Sequence, residues 1–100
     1  MARKSLLQRH FKRTLLVKRY AKKRQILLNE ISNENSFEKI IKLQYQLQKL
    51  PRDSSPTRLR KRCWKTGRSR GIYKDFGVSR HVLREMSNEG ILPGLTKSSW

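Results

Sequence analysis

The chain has 100 residues, with 25 Lys and Arg set against 7 Asp and Glu, a formal net charge of +18. Length allows one domain at most, and a free globule with that charge works against its own repulsion. The lone cysteine, Cys63, excludes an internal disulfide, and no apolar run approaches the roughly eighteen residues of a membrane span. Leu, Ile, Val and Phe number 25, above the level of a simply disordered chain. What remains is a small protein that completes its structure on a polyanion, nucleic acid first and a membrane surface second.

The charge falls in blocks. Residues 1–29 hold ten Lys and Arg and no acid, residues 30–50 balance to zero, and residues 51–75 carry +7. The blocks suggest a basic helical arm over 1–31, a middle helix within 32–50 and a compact module over 51–100. The opening residues lack the apolar core of a secretory signal. A basic amphipathic start also suits an organellar transit peptide, but this one runs into the rest of the chain without a junction.

Residues 5–31 contain neither Gly nor Pro and place Leu7, Phe11 and Leu15 at four-residue spacing, which predicts a helix. The cluster Ser32 to Ser36 reads as a break. Ser36 is then placed to cap a second helix with Glu38 in its first turn. Ile40, Leu43, Leu47 and Leu50 form its apolar stripe, to bury against the first helix or a partner, and Pro51 stops it.

From Pro51 to Thr57 the chemistry is that of turns. Residues 58–78 are rich in Gly, Arg and aromatics and predict an extended segment or hairpin turning at Gly67 to Gly71. Ser79 is the candidate N-cap of a last helix carrying Val82, Leu83 and Met86, with Gly90 closing it. The fold class is mainly α: an elongated helical N-terminal arm and a middle helix, then a small C-terminal module of irregular or hairpin chain and one helix.

Catalysis finds little support. His10 and His81 are the only histidines, and acid–base work needs both held in one dry site; surface or RNA-facing roles fit them better. Zinc fares no better. A ribbon needs two Cys-x-x-Cys pairs, and the matching frame here reads Cys63, Thr66, Ser79 and Val82. Only one is a thiolate donor, so no metal and no cofactor is predicted.

The positive signal runs from Arg58 to Tyr73, where Arg dominates. Guanidinium forks suit bidentate phosphate contacts. If Gly67 to Gly71 is extended, Arg68 and Arg70 project to one side and clamp a backbone. Trp64 and Tyr73 are available to stack on bases, although both also suit a small core with Phe76. Phe76 is assigned to the core, Trp64 is divided between core and RNA, and the arginines go to RNA. Further RNA contacts are Arg3, Lys4, Arg9, Lys12 and Arg13 in the arm, then Arg58, Arg60, Lys61, Arg62, Lys65, Arg80 and Lys97. Trp100 joins them, since a chain ending in Trp suggests a tail that docks. The all-round charge of residues 1–29 fits a helix threaded into folded RNA better than one lying on a membrane.

Three stretches of these residues resemble the small-subunit ribosomal protein fourteen family. They are Met1 to Ser5, Leu50 to Arg58, and Gly67-Arg68-Ser69-Arg70 through Phe76-Gly77, Leu83-Arg84-Glu85 and Leu92-Pro93-Gly94 to the closing Lys97-Ser98-Ser99-Trp100. The family has a short zinc-binding form and a long zinc-free form, and this chain resembles the long one. Its middle helix falls in the inserted region, and the module becomes a zinc-free counterpart of a zinc ribbon. The resemblance implies a structural role in the head of the small subunit. There the chain would bind the 3′ domain of the rRNA and support head assembly and the region where aminoacyl-tRNA meets the message. Ribosomal proteins three, ten and nineteen would be its neighbours, with no membrane and no small-molecule substrate. The ends look most like plastid and cyanobacterial members, implying a plastid stroma or a bacterial cytoplasm. The alternative is a free-standing basic nucleic-acid-binding architectural protein.

Overall fold

The structure is a computed structural model and describes residues 2–98. Three helices dominate: α1 (Lys4–Asn33), α2 (Phe37–Lys49) and α3 (Arg80–Asn88). Two short strands, β1 (Ile72–Tyr73) and β2 (Val78–Ser79), pair antiparallel, with Ile72 opposite Ser79 and Tyr73 opposite Val78. The mainly α reading holds. The chain divides into two compact units, one spanning Ser5–Leu59 and the other formed by the residues up to Lys4 together with those from Arg60 onward. Residues 51–59 therefore group with the helices and not with the C-terminal module.

In the helical unit α1 runs through Ser32 and Asn33, so the break is confined to Glu34–Ser36. The Lys39 ammonium lies 3.7 Å from the Glu34 carboxylate across that break. Ser36 occupies the N-cap position of α2 without a side-chain cap bond; the helix opens through its backbone, the Ile40 N–H donating to the Ser36 carbonyl at 3.0 Å. The stripe predicted for α2 is its covered side: Ile40, Leu43 and Leu47 are half-buried and Leu50 is buried.

The stripe predicted for α1 is not. Leu7, Phe11 and Leu15 are all exposed, Phe11 to 59%. The covered face instead follows Arg13, Val17, Tyr20, Arg24, Leu27 and Ile31. That set also has helical period, but two of its members are arginines, which hydropathy alone assigns to solvent. Their partners lie just after α2, where residues 52–54 and 56–58 form two short 3-10 turns. Arg13 Nε donates to Asp53 Oδ1 at 3.1 Å, and Arg24 Nε donates to the fully buried Ser54 Oγ at 3.0 Å.

The second unit has its own small core of Cys63, Val78, Val82 and Met86, bordered by Ile72, Phe76, Leu83 and Leu92. The hairpin turns at residues 74–77, where the Gly77 N–H donates to the Tyr73 carbonyl at 2.8 Å. It does not turn at Gly67 to Gly71; those residues are the return limb of an earlier turn at Cys63–Thr66. α3 follows β2 directly and ends at Gly90, whose φ is +68°. The N–H of Gly90 bonds the Ser87 carbonyl and that of Ile91 the Met86 carbonyl, the paired cap that a left-handed glycine permits.

Candidate nucleic-acid interface

The turn at Cys63 organises the second unit. The Cys63 N–H donates to the Arg68 carbonyl and the Gly67 N–H to the Cys63 carbonyl, both at 2.8 Å. The sulfur is buried in the core near the N–H groups of Thr66, Ser79 and Lys65, and the Thr66 hydroxyl is buried without a hydrogen-bond partner. Burial pushes the thiol up, but these donors together outweigh it and bring it down to about 6. Ser79, sitting at the N-cap of α3, makes no side-chain cap bond. The position filled by Val82 is apolar and buried, so this donor set does not suit zinc.

Around that core the predicted contact residues separate into two groups. Trp64 is 68% exposed, with its Cδ1 only 3.6 Å from where a side chain on Gly77 would begin, so it lies outside the core. Tyr73 is also exposed, and Phe76 alone of the three aromatics packs on the core. Arg60, Lys61, Lys65, Arg70, Arg80 and Lys97 are exposed, as are Arg3, Lys4, Arg9 and Lys12. Trp100 lies outside the described residues.

The second group is engaged within the chain. Arg13 and Arg58 share Asp53, at 3.1 and 3.2 Å. Arg62 turns inward, its Nη1 donating to the Gly67 carbonyl at 2.9 Å while its Nε is buried without a partner. Arg68 lies back on the main chain, Nε donating to the Arg70 carbonyl at 3.2 Å. The anticipated symmetric clamp is therefore uneven: Arg70 is free to reach a phosphate, whereas Arg68 braces the loop that presents it. Nothing in the composition distinguishes bracing arginines from reaching ones, because both read as charge.

The structure adds Arg84, which sequence reasoning did not assign to RNA, and places His81, read as surface or RNA-facing, with it. Both join Tyr73, Arg80 and Lys97 around one groove beside α3. The signal for Arg84 was present in the four-residue step from Arg80, which puts both on one helix face. His10 and His81 fall in separate units. No helix among the described residues is long and apolar enough to cross a membrane.

Comparison with known proteins bears on this surface. A family model described as ribosomal protein S14p/S29e matches residues 46–99. Along its whole length the chain is 62% identical to the small ribosomal subunit protein uS14 of Acaryochloris marina. It is 60% identical to uS14c of Mesostigma viride and 55% identical to uS14c of Emiliania huxleyi. Each alignment spans 100 residues, covering all of this chain and all of the relative.

Proposed function

The chain belongs to the ribosomal protein S14p/S29e family of the small subunit, and from that premise we propose that it is a structural constituent of the subunit head, bound to the 3′ domain of the small-subunit rRNA. Membership of this family makes it a ribosomal protein and not an enzyme, and replaces the free-standing architectural reading. Relatives named uS14c and cyanobacterial uS14 support a ribosome of plastid or cyanobacterial type, in a plastid stroma or a bacterial cytoplasm.

One observation carries the RNA reading: the module around Cys63 is held by apolar packing and backbone bonds, which leaves Arg60, Lys61, Lys65, Arg70, Arg80 and Lys97 exposed on one small unit. So much positive charge on so little core repels itself and is relieved opposite an anion. Arg3, Lys4, Arg9 and Lys12 are exposed as well and are proposed as further RNA contacts. Ribosomal proteins three, ten and nineteen are the proposed neighbours, and support of the aminoacyl-tRNA region is the proposed role. The apolar residues left uncovered on α1 and α2, among them Phe11, Leu15, Phe37 and Ile41, support a protein neighbour on the helical unit.

Binding to a 3′-domain rRNA transcript tests this. Each neutralised phosphate lowers the slope of log affinity against log salt by roughly 0.7 to 0.9, so affinity should fall steeply between low and moderate salt. A flat dependence contradicts the proposal.

A further inference from the structure

The groove beside α3 has a volume of about 710 Å³, within the range of roughly 300–1,000 Å³ that small-ligand sites occupy. Arg80, His81, Arg84 and Lys97 contribute to its lining, and among the described residues no carboxylate does. Its occupant is therefore an anion. The lining also has an apolar part, from Leu83 and Leu95, and a phenol ring, that of Tyr73. A bare phosphate has no use for either.

The cationic groups are held in place. The Arg80 N–H donates to the Gly71 carbonyl at 2.9 Å, and its side-chain stem lies 3.7 Å from where a Cβ on Gly71 would stand. A Cβ at 71 would make ordinary contact with that stem, but the φ of +59° disfavours any side chain there. Lys97 Nζ donates to Asn88 Oδ1 at 2.7 Å, which ties the tail to the end of α3. Tyr73 is fixed in the hairpin opposite Val78, with its ring half exposed.

In a chain of this family, the anion that also presents a flat aromatic face is a nucleotide of the RNA it binds. Within a duplex both base faces are covered by stacking, so only a nucleotide splayed from a loop or bulge offers one. We propose that this groove takes a single unstacked nucleotide of the rRNA, its base against Tyr73 and its flanking phosphates on Arg80, Arg84 and Lys97. The proposal rests on the rRNA-binding reading above and assigns it a point of structural selectivity.

Two measurements on the full chain test it. In the first, affinity for the 3′-domain transcript is compared among wild type, Tyr73→Phe and Tyr73→Ala. Base–aromatic stacking is worth roughly ten- to a hundred-fold in affinity; Tyr73→Ala should lose that much, and Tyr73→Phe should keep nearly all of it. In the second, p-benzoylphenylalanine replaces Tyr73 in reconstituted small subunits and is photo-crosslinked. The cross-link should map to one unpaired nucleotide. Unchanged affinity in Tyr73→Ala, or a cross-link to paired RNA or to a protein, overturns the inference while leaving rRNA binding intact. A wild-type chain that does not bind the transcript overturns both.

Discussion

The N–H of Trp64 donates to the Gly77 carbonyl at 3.3 Å, joining the hairpin to the turn that opens the C-terminal unit, next to the buried Cys63. Burial penalises the Cys63 thiolate, but the neighbouring N–H groups of Thr66, Ser79 and Lys65 stabilise it more. The consequence is a pH dependence with a definite sign. The folded thiol titrates at about 6 against an ordinary value of 9.0, so the unfolded state binds the extra proton between those limits. The stabilisation is fully present above about pH 9 and is lost as pH falls through 6. The unfolding midpoint should therefore climb from pH 6 to pH 9, and Cys63→Ser should remove that climb. The same profile in both proteins would show that the thiolate contributes nothing.

The same turn makes a prediction about metal. Cys63 and Val82 share one buried cluster, Thr66 lies in the turn that Cys63 opens, and Ser79 is buried at the start of α3. Four thiolates at these positions would have the ligand count that structural zinc requires. The variant carrying Thr66→Cys, Ser79→Cys and Val82→Cys should bind one zinc ion per chain and unfold at a higher temperature when zinc is added. The parent chain should show no such rise. If zinc binds the variant without raising its midpoint, the four positions do not converge as described.

Asp53 organises the turns after α2. Partial burial acts to raise its pKa, but the charge of Arg13 and the hydrogen bonds from Arg58 and Arg13 prevail and hold it below the ordinary carboxylate value. Its contribution is thus present above the ordinary value and disappears as pH falls through the lowered one. Asp53→Asn should destabilise the helical unit at neutral pH, by less in high salt because the carboxylate is 43% exposed. At acid pH the two proteins should converge. Equal destabilisation at all pH values would mean that the pair with Arg13 is incidental. The chemical shifts of the Arg13 and Arg58 guanidinium groups on acid titration give an independent check.

Reading the sequence recovered some elements and missed others for identifiable reasons. α2 was legible because its stripe of Ile40, Leu43, Leu47 and Leu50 coincides with the face that is covered. α3 was legible because Gly90 closes it where a left-handed residue is needed. The working face of α1 was hidden, since Arg13 and Arg24 lie on it and their value comes from Asp53 and Ser54, remote in sequence. The hairpin was misplaced because Gly67 serves an earlier turn shaped by the backbone around Cys63, while the Gly71 carbonyl accepts from the Arg80 N–H at the start of α3. Of the basic residues, those that stayed exposed were read correctly as outward. Arg62 and Arg68 were not, because a guanidinium that bonds a main-chain carbonyl has the same letter as one that reaches solvent.

The central claim is that this chain is built into the small ribosomal subunit by its rRNA, with the C-terminal module as the main holdfast. Small subunits should be purified from the source cells, washed in high salt and sedimented. The account predicts that the chain remains with the subunit after a wash that removes loosely held proteins, and that Arg70→Ala combined with Arg80→Ala releases it more readily than Lys22→Ala combined with Lys23→Ala. Recovery of the wild-type chain in the supernatant, or equal release of the two double variants, would contradict it.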